Sequence, residues 1–234
     1  MAVVRPLRDV PWPLWGLLGA ALAAQVLWHG ARPGPAAAAR DLPPAPAAAT
    51  VRVAALGEEA VAARLLMLWL QAFDNQPGVS IPFRQLDYGR VQAWLALALE
   101  LDPKARYPLL VAARLYAEVP DEERQRSMLE FIHRAFLEDP DGRWRWLAHA
   151  TILAKHRLGD LPLALRYARS LTRHATGPEV PFWARDMSIA VLEDMGELEA
   201  ARVLVGGLLE SGAITDPREL AFLERKLEAL EAAE

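Results

Sequence analysis

The chain has 234 residues, 53% of them hydrophobic, with a formal net charge of −4, enough apolar material for one ordinary domain plus extensions and too much for wholesale disorder. It holds no cysteine, which excludes disulfides, zinc–thiolate sites, iron–sulfur clusters and thiol nucleophiles. Residues 1–57 carry +3, 58–142 carry −5, 143–175 carry +6 and 176–234 carry −8, and a chain that is acidic outside one stretch argues against a nucleic-acid partner.

In residues 12–28, "WPLWGLLGAALAAQVLW", Gln25 is the one clearly polar side chain. About 18 positions at 1.5 Å each give roughly 27 Å of helix, close to the thickness of a bilayer's hydrocarbon core. The sequence therefore predicts a transmembrane anchor over 11–29. Trp12 and Trp15 at one end and Trp28 at the other fall where aromatic rings meet the two membrane interfaces. The competing reading is a cleaved signal peptide. It fits poorly, because the first small-residue cleavage pattern, at Ala37 to Ala39, comes well past the apolar run and beyond Arg32 and Pro33. Gly16, Ala20 and Ala23 share a helix-contact spacing, which an alanine-rich span also produces by chance.

Arg5, Arg8 and the amino terminus before the span, against Arg32 and Arg40 after it, favour a cytoplasmic segment 1–10 and a C-terminal domain in the periplasm. Lysine occurs only at Lys104, Lys155 and Lys226, against an abundance of arginine and alanine, a usage that suggests a GC-rich bacterial genome and hence a bacterial inner membrane. Residues 30–55, rich in proline and alanine, are expected to form a semi-extended linker.

Over 56–234 the apolar residues recur at helical spacing, and no alternating valine-rich run suggests a strand. The predicted class is all-α. Val91, Trp94, Leu95, Ala98 and Leu99 form a stripe that returns as Met128, Phe131, Ile132, Ala135 and Phe136, then as Ala164, Tyr167, Ala168, Leu171 and Thr172, and again as Ala201, Leu204, Val205, Leu208 and Leu209. The stripes start 37, 36 and 37 residues apart, and each is followed by a proline break, at Pro103, Pro140, Pro178 and Pro217. The "EDPDG" at 138–142 is thus one of a series of helix stops. It lacks the continuing oxygen ligands of a calcium loop, so Asp139 and Asp141 read as cap and turn residues.

On "GDLPLALRYARSL" (159–171), "GELEAARVLVGGLL" (196–209) and the spacing of Ala98 to Pro103 and Ala135 to Pro140, the chain resembles the tetratricopeptide-repeat superfamily over roughly residues 60–215. The resemblance implies a solenoid of about four helix pairs and a role in binding another protein. The units are longer than the family's 34-residue repeat and lack its first-helix signature. The end segment, with Leu220, Leu223, Leu227 and Leu230 on one face, is predicted to be a capping helix. Between the first two helices, residues 73–87 replace a tight turn with a long loop.

No phosphate loop, metal-protease, nucleophile-elbow or dinucleotide motif is present, so the sequence predicts neither a cofactor nor catalysis. His133, His149 and His156 lack a carboxylate partner at ligand spacing. Asp74, Asn75, Asp87 and Tyr88 flank the 73–87 loop as either a polar cluster or helix caps, and an enzyme site there is the alternative function. The basic stretch 143–175 is the stronger signal. Because first helices of such pairs line the concave face, Arg143, Arg145 and Arg157, with Trp144 and Trp146, are the expected partner-binding residues, facing an acidic segment. Arg166, Arg169 and Arg173 would then lie outside. The remaining alternatives are a solvated face, pairing with acidic residues 193–199, or a permanent accessory subunit of a respiratory or photosynthetic complex.

Overall fold

The computed structural model describes residues 11–31, 39–76, 78–212 and 214–232. The chain divides into two units, one holding residues up to Arg40 with the loop tip Asn75–Ser80, the other running from Asp41 to Asp74 and from Ile81 onward.

In the first unit, α1 (Trp12–Ala31) is a 20-residue helix with no buried residue, long and apolar enough to cross a membrane. Its length is about 30 Å at 1.5 Å per residue. Trp12, Trp15 and Trp28 lie near its two ends with most or about half of their surfaces exposed. The predicted cytoplasmic segment 1–10 lies outside the described residues. The tip of the 73–87 loop is a minimal antiparallel hairpin, β1 (Asn75–Gln76) with β2 (Val79–Ser80). The Gln76 amide exchanges two 2.9 Å hydrogen bonds with the backbone of Arg40.

The second unit is helical: α2 (Ala48–Ala55), α3 (Glu59–Ala72), α4 (Tyr88–Leu101), α5 (Tyr107–Arg114), α6 (Glu122–Glu138), α7 (Pro140–His156), α8 (Leu161–His174), α9 (Phe182–Arg185), α10 (Met187–Asp194), α11 (Leu198–Glu210) and α12 (Pro217–Glu231). Short 3-10 turns at Phe83–Gln85 and Tyr116–Glu118 lead into α4 and out of α5. Packing follows chain order. Helix α3 lies on α4, α4 on α5 and α6, α6 on α7, α7 on α8, α8 on α10, α10 on α11 and α11 on α12.

The apolar stripes of α4, α6 and α8 are the core: Val91, Leu95, Ala98, Met128, Ile132, Phe136, Ala164, Tyr167 and Leu171 are all fully buried. The stripe of α11 is thinner, with Ala201 and Val205 its only buried members. Five helices begin on an aspartate whose carboxylate accepts a backbone N–H of the first turn: Asp87, Asp121, Asp139, Asp160 and Asp216. Each such cap stabilises its helix by about 1 kcal/mol.

The "EDPDG" stretch is therefore a joint. Asp139 ends α6 and caps α7, and Pro140 starts α7 at the position where a missing N–H is harmless. Gly142 donates to Asp139 Oδ1 at 3.1 Å. A Cβ at Gly142 would stand 2.2 Å from the other carboxylate oxygen, so a larger residue here would require the Asp139 side chain to shift.

Polar bonds tie each hairpin to the next. Gln92 donates to Ser127 Oγ at 2.6 Å, Tyr167 OH to Glu130 at 3.0 Å, and Gly177 N to Asp141 at 2.7 Å, while His133 Nε2 lies 3.0 Å from Ser170 Oγ. The partners are 35 to 37 residues apart, the spacing at which the stripes recur.

The expected linker 30–55 is only partly a linker. Helix α1 continues to Ala31, residues 48–55 are helical, and Leu42 is 1% exposed. Residues 32–38 lie outside the described residues. Prolines donate nothing, but their neighbours' carbonyls remain good acceptors. Arg90 donates to the Leu42 carbonyl and Trp94 Nε1 to the Pro43 carbonyl at 2.9 Å, which docks the tract on α4.

Candidate binding surfaces

The five residues expected to form a partner groove have different fates, because consecutive positions on a helix point about 100° apart. Arg143 is 5% exposed. Its guanidinium donates to the carbonyl of Ala135 at 2.7 Å, to Glu138 at 2.9 Å and to the carbonyl of Pro103 at 3.1 Å, locking the start of α7 to the ends of α6 and α4. It is a structural tie. Arg157, at the other end of α7, bonds the side chain of Glu118 at 3.1 Å and its carbonyl at 2.9 Å.

Trp144 is buried and meets Trp183 of α9 edge-on, ring centres 5.5 Å apart. Trp146 is half-buried. Arg145 is exposed, its guanidinium 4.8 Å from the Trp144 ring centre, and it has no ion pair among the described residues. The sequence did not single out Trp183, yet more than half of its surface is exposed.

Other basic residues of the stretch are also engaged. Lys155 pairs with Asp194 of α10 at 2.6 Å, the pairing with the acidic segment weighed in the sequence. Arg166 pairs with Glu130, which also accepts from Tyr167 OH. Two remain. Arg169 and Arg173, one turn apart on α8, are exposed and have no ion pair among the described residues.

These two arginines line a groove of about 480 Å³ beside α6, with His133, Ser170 and His174, and a second of about 340 Å³ beside α10 and α11, with Ser188 and Val203. Like charges four apart on a helix repel, and among the described residues lining the two grooves there is no carboxylate. The His133 imidazole is held below its usual pKa, first by burial and then by the charges of His174 and Arg134. The ridge favours an anion. Its sequence signal was the alternation in α8 of buried Ala164, Leu165, Tyr167, Ala168 and Leu171 with Arg166, Arg169 and Arg173.

At the 73–87 loop Asp87 is a helix cap, accepting from Arg90 N at 3.1 Å. Asp74 is half-buried, and its carbonyl accepts from Ile81 N at 2.7 Å, closing the base of the loop. Tyr88 is buried, donates to the Tyr116 carbonyl at 2.9 Å, and has its hydroxyl pushed up to about 12, chiefly by burial. The Tyr116 hydroxyl is fully enclosed with no hydrogen-bond partner among the described residues, and burial followed by the charge of Asp74 raises it further.

His133 lies against Ser170 and Tyr167, and His149 lies 3.9 Å from Glu118 with its pKa lowered by burial and by Arg114. Among the described residues no three His, Asp or Glu side chains come together as metal ligands. No family model, curated protein or solved structure matches this chain.

Proposed function

We propose that this chain is a membrane-anchored helical-repeat adaptor that holds a protein partner of a bacterial envelope complex through an acidic segment. The observation that carries the reading is the α8 ridge. Arg169 and Arg173 stand between two grooves with no ion pair among the described residues, while Arg143, Lys155, Arg157 and Arg166 are engaged within the fold. Guanidinium groups suit carboxylates of a partner chain, so the binding surface moves from the first-helix set to the outer face of α8, with Arg145 as the one charge of the earlier set that has no ion pair among the described residues.

The match between the stripe period and the spacing of the polar ties supports a tetratricopeptide-like solenoid of about four helix pairs, capped by α12. Helix α1 would place the domain at the inner membrane, on the periplasmic side by the arginine balance, and raise its local concentration near a membrane partner. The role is binding, without a cofactor.

The test begins with the full-length protein from its own membranes in mild detergent, with stoichiometric companions identified by mass spectrometry. Recovery of a discrete companion that falls away in the Arg169→Glu/Arg173→Glu variant, and that leaves the unaltered protein as salt is raised, is the expected outcome. A companion retained by that variant would rule out the ridge.

A further inference from the structure

We propose that the outward face of α3 rests on the surface of an anionic phospholipid bilayer, an assignment that rests on α1 being a membrane anchor. Helix α3 is apolar nearly all round, with Glu59, Arg64 and Gln71 its only polar residues. Ala63, Met67 and Leu70 are buried on its inner side. On the other side Val61, Leu65 and Leu68 are 46%, 60% and 61% exposed, with Trp69 at the edge. A helix that is apolar on both sides is normally covered on both, and a contiguous exposed apolar stripe marks a contact surface.

Two observations say what covers it. The first is reach. Leu42, the first buried residue of the helical unit, follows the end of α1 at Ala31 by eleven positions, which span about 40 Å at most when fully extended. The stripe belongs to the second helix after that tether.

The second is charge. Beside the stripe lies a groove of about 780 Å³ with Arg64, Lys104 and Arg106 around an apolar floor of Met67 and Leu68. None of the three cations has an ion pair among the described residues, and Asp102 is the acid lining the same groove. Apolar residues that dip into the acyl boundary, cations level with the phosphates and a tryptophan between them make up the pattern of an interfacial helix. Glu58 and Glu59 fall a turn before Val61, at the end of α3 that would stay in water.

Because the chain has no cysteine, single cysteines can carry a fluorescent label without a background. The full chain is reconstituted into phosphatidylglycerol-rich vesicles with the label at Leu65→Cys, Leu68→Cys, Leu18→Cys in α1 or Val203→Cys on α11, and bromolipid quenching is read. Labels at 18, 65 and 68 are expected to lose most of their emission, and the label at 203 to keep it. In vesicles of phosphatidylcholine alone, quenching at 65 and 68 should fall while that at 18 persists. Quenching at 18 alone overturns the α3 assignment and leaves the anchor. Quenching at none of the sites overturns both. Emission at 65 and 68 that is blue-shifted but untouched by bromolipid places a protein on the stripe, a second copy or a partner, and overturns the lipid assignment.

Discussion

Arg157 closes on Glu118 from two sides, one guanidinium nitrogen 3.1 Å from the carboxylate and another 2.9 Å from the backbone carbonyl. This side chain, a candidate for partner capture in the sequence, ties α7 to the turn after α5. Both side chains are partly exposed, so the pair stabilises by about 1 kcal/mol or less. Arg157→Glu should lower the urea midpoint of the full chain by a matching amount, and adding Glu118→Arg should recover part of it. A midpoint unmoved by Arg157→Glu would mean that the pair contributes nothing.

Arg143 should matter more. Its replacement by Met leaves the carbonyls of Ala135 and Pro103 without their buried donor, which costs about 2 to 3 kcal/mol. Arg143→Lys should rescue little, because a single ammonium on a flexible stem cannot serve three acceptors arranged for a planar fork. Equal midpoints for Lys and Arg would contradict that geometry.

Asp141 and Gly177 should behave as a unit. The Gly177 N–H reaches Asp141 at 2.7 Å, and a Cβ on Gly177 would sit 2.7 Å from the Asp141 carboxylate carbon. Asp141→Ala removes the acceptor, and Gly177→Ala displaces it, each at about 1 kcal/mol. The double variant should be no worse than either single one. Additive losses would show that the two residues act separately.

Asp186 gives the stability a pH dependence. Its carboxyl, half-buried between α9 and α10 with one oxygen enclosed and unbonded, is pushed up to about 7 by burial and then by Glu219, against the pull of Arg185. The folded chain keeps a proton that the unfolded chain releases near pH 4. The resulting stabilisation is complete below about pH 4 and is lost as pH rises through about 7. Its size is on the order of 1 to 2 kcal/mol after solvent screening. Asp186→Asn should flatten the midpoint between pH 5 and 8 and raise it at pH 8. A variant with the wild-type slope would assign the dependence to another group, with Glu219, also raised by burial, next in line.

Sequence periodicity revealed the helices because burial in this chain follows it: the stripes beginning at Val91, Met128 and Ala164 are core, and Leu223 and Leu230 seat α12. It did not reveal where charges go. Arg143 and Arg145 differ by two positions, yet one is buried among carbonyls and the other lies over Trp144 in solvent. The acceptors that draw Arg143 inward come from Pro103 and Ala135, forty and eight residues away, and meet only once three helices have packed. The docking of the Pro/Ala tract on Arg90 and Trp94 is likewise a tertiary event. The open side of α3 was hidden for the opposite reason, since an all-apolar helix reads as interior whichever side is covered.

The polar ties between hairpins each reach one neighbour along the chain. A load pulling on α12 against the amino-terminal end would therefore be carried in series, with Lys226 on Glu193 among the first fastenings to feel it. If the hairpins act as separate units, as the proposed solenoid requires, such a chain should peel hairpin after hairpin from its carboxyl end in a staircase of extensions, whereas a single close-knit core would let go at once.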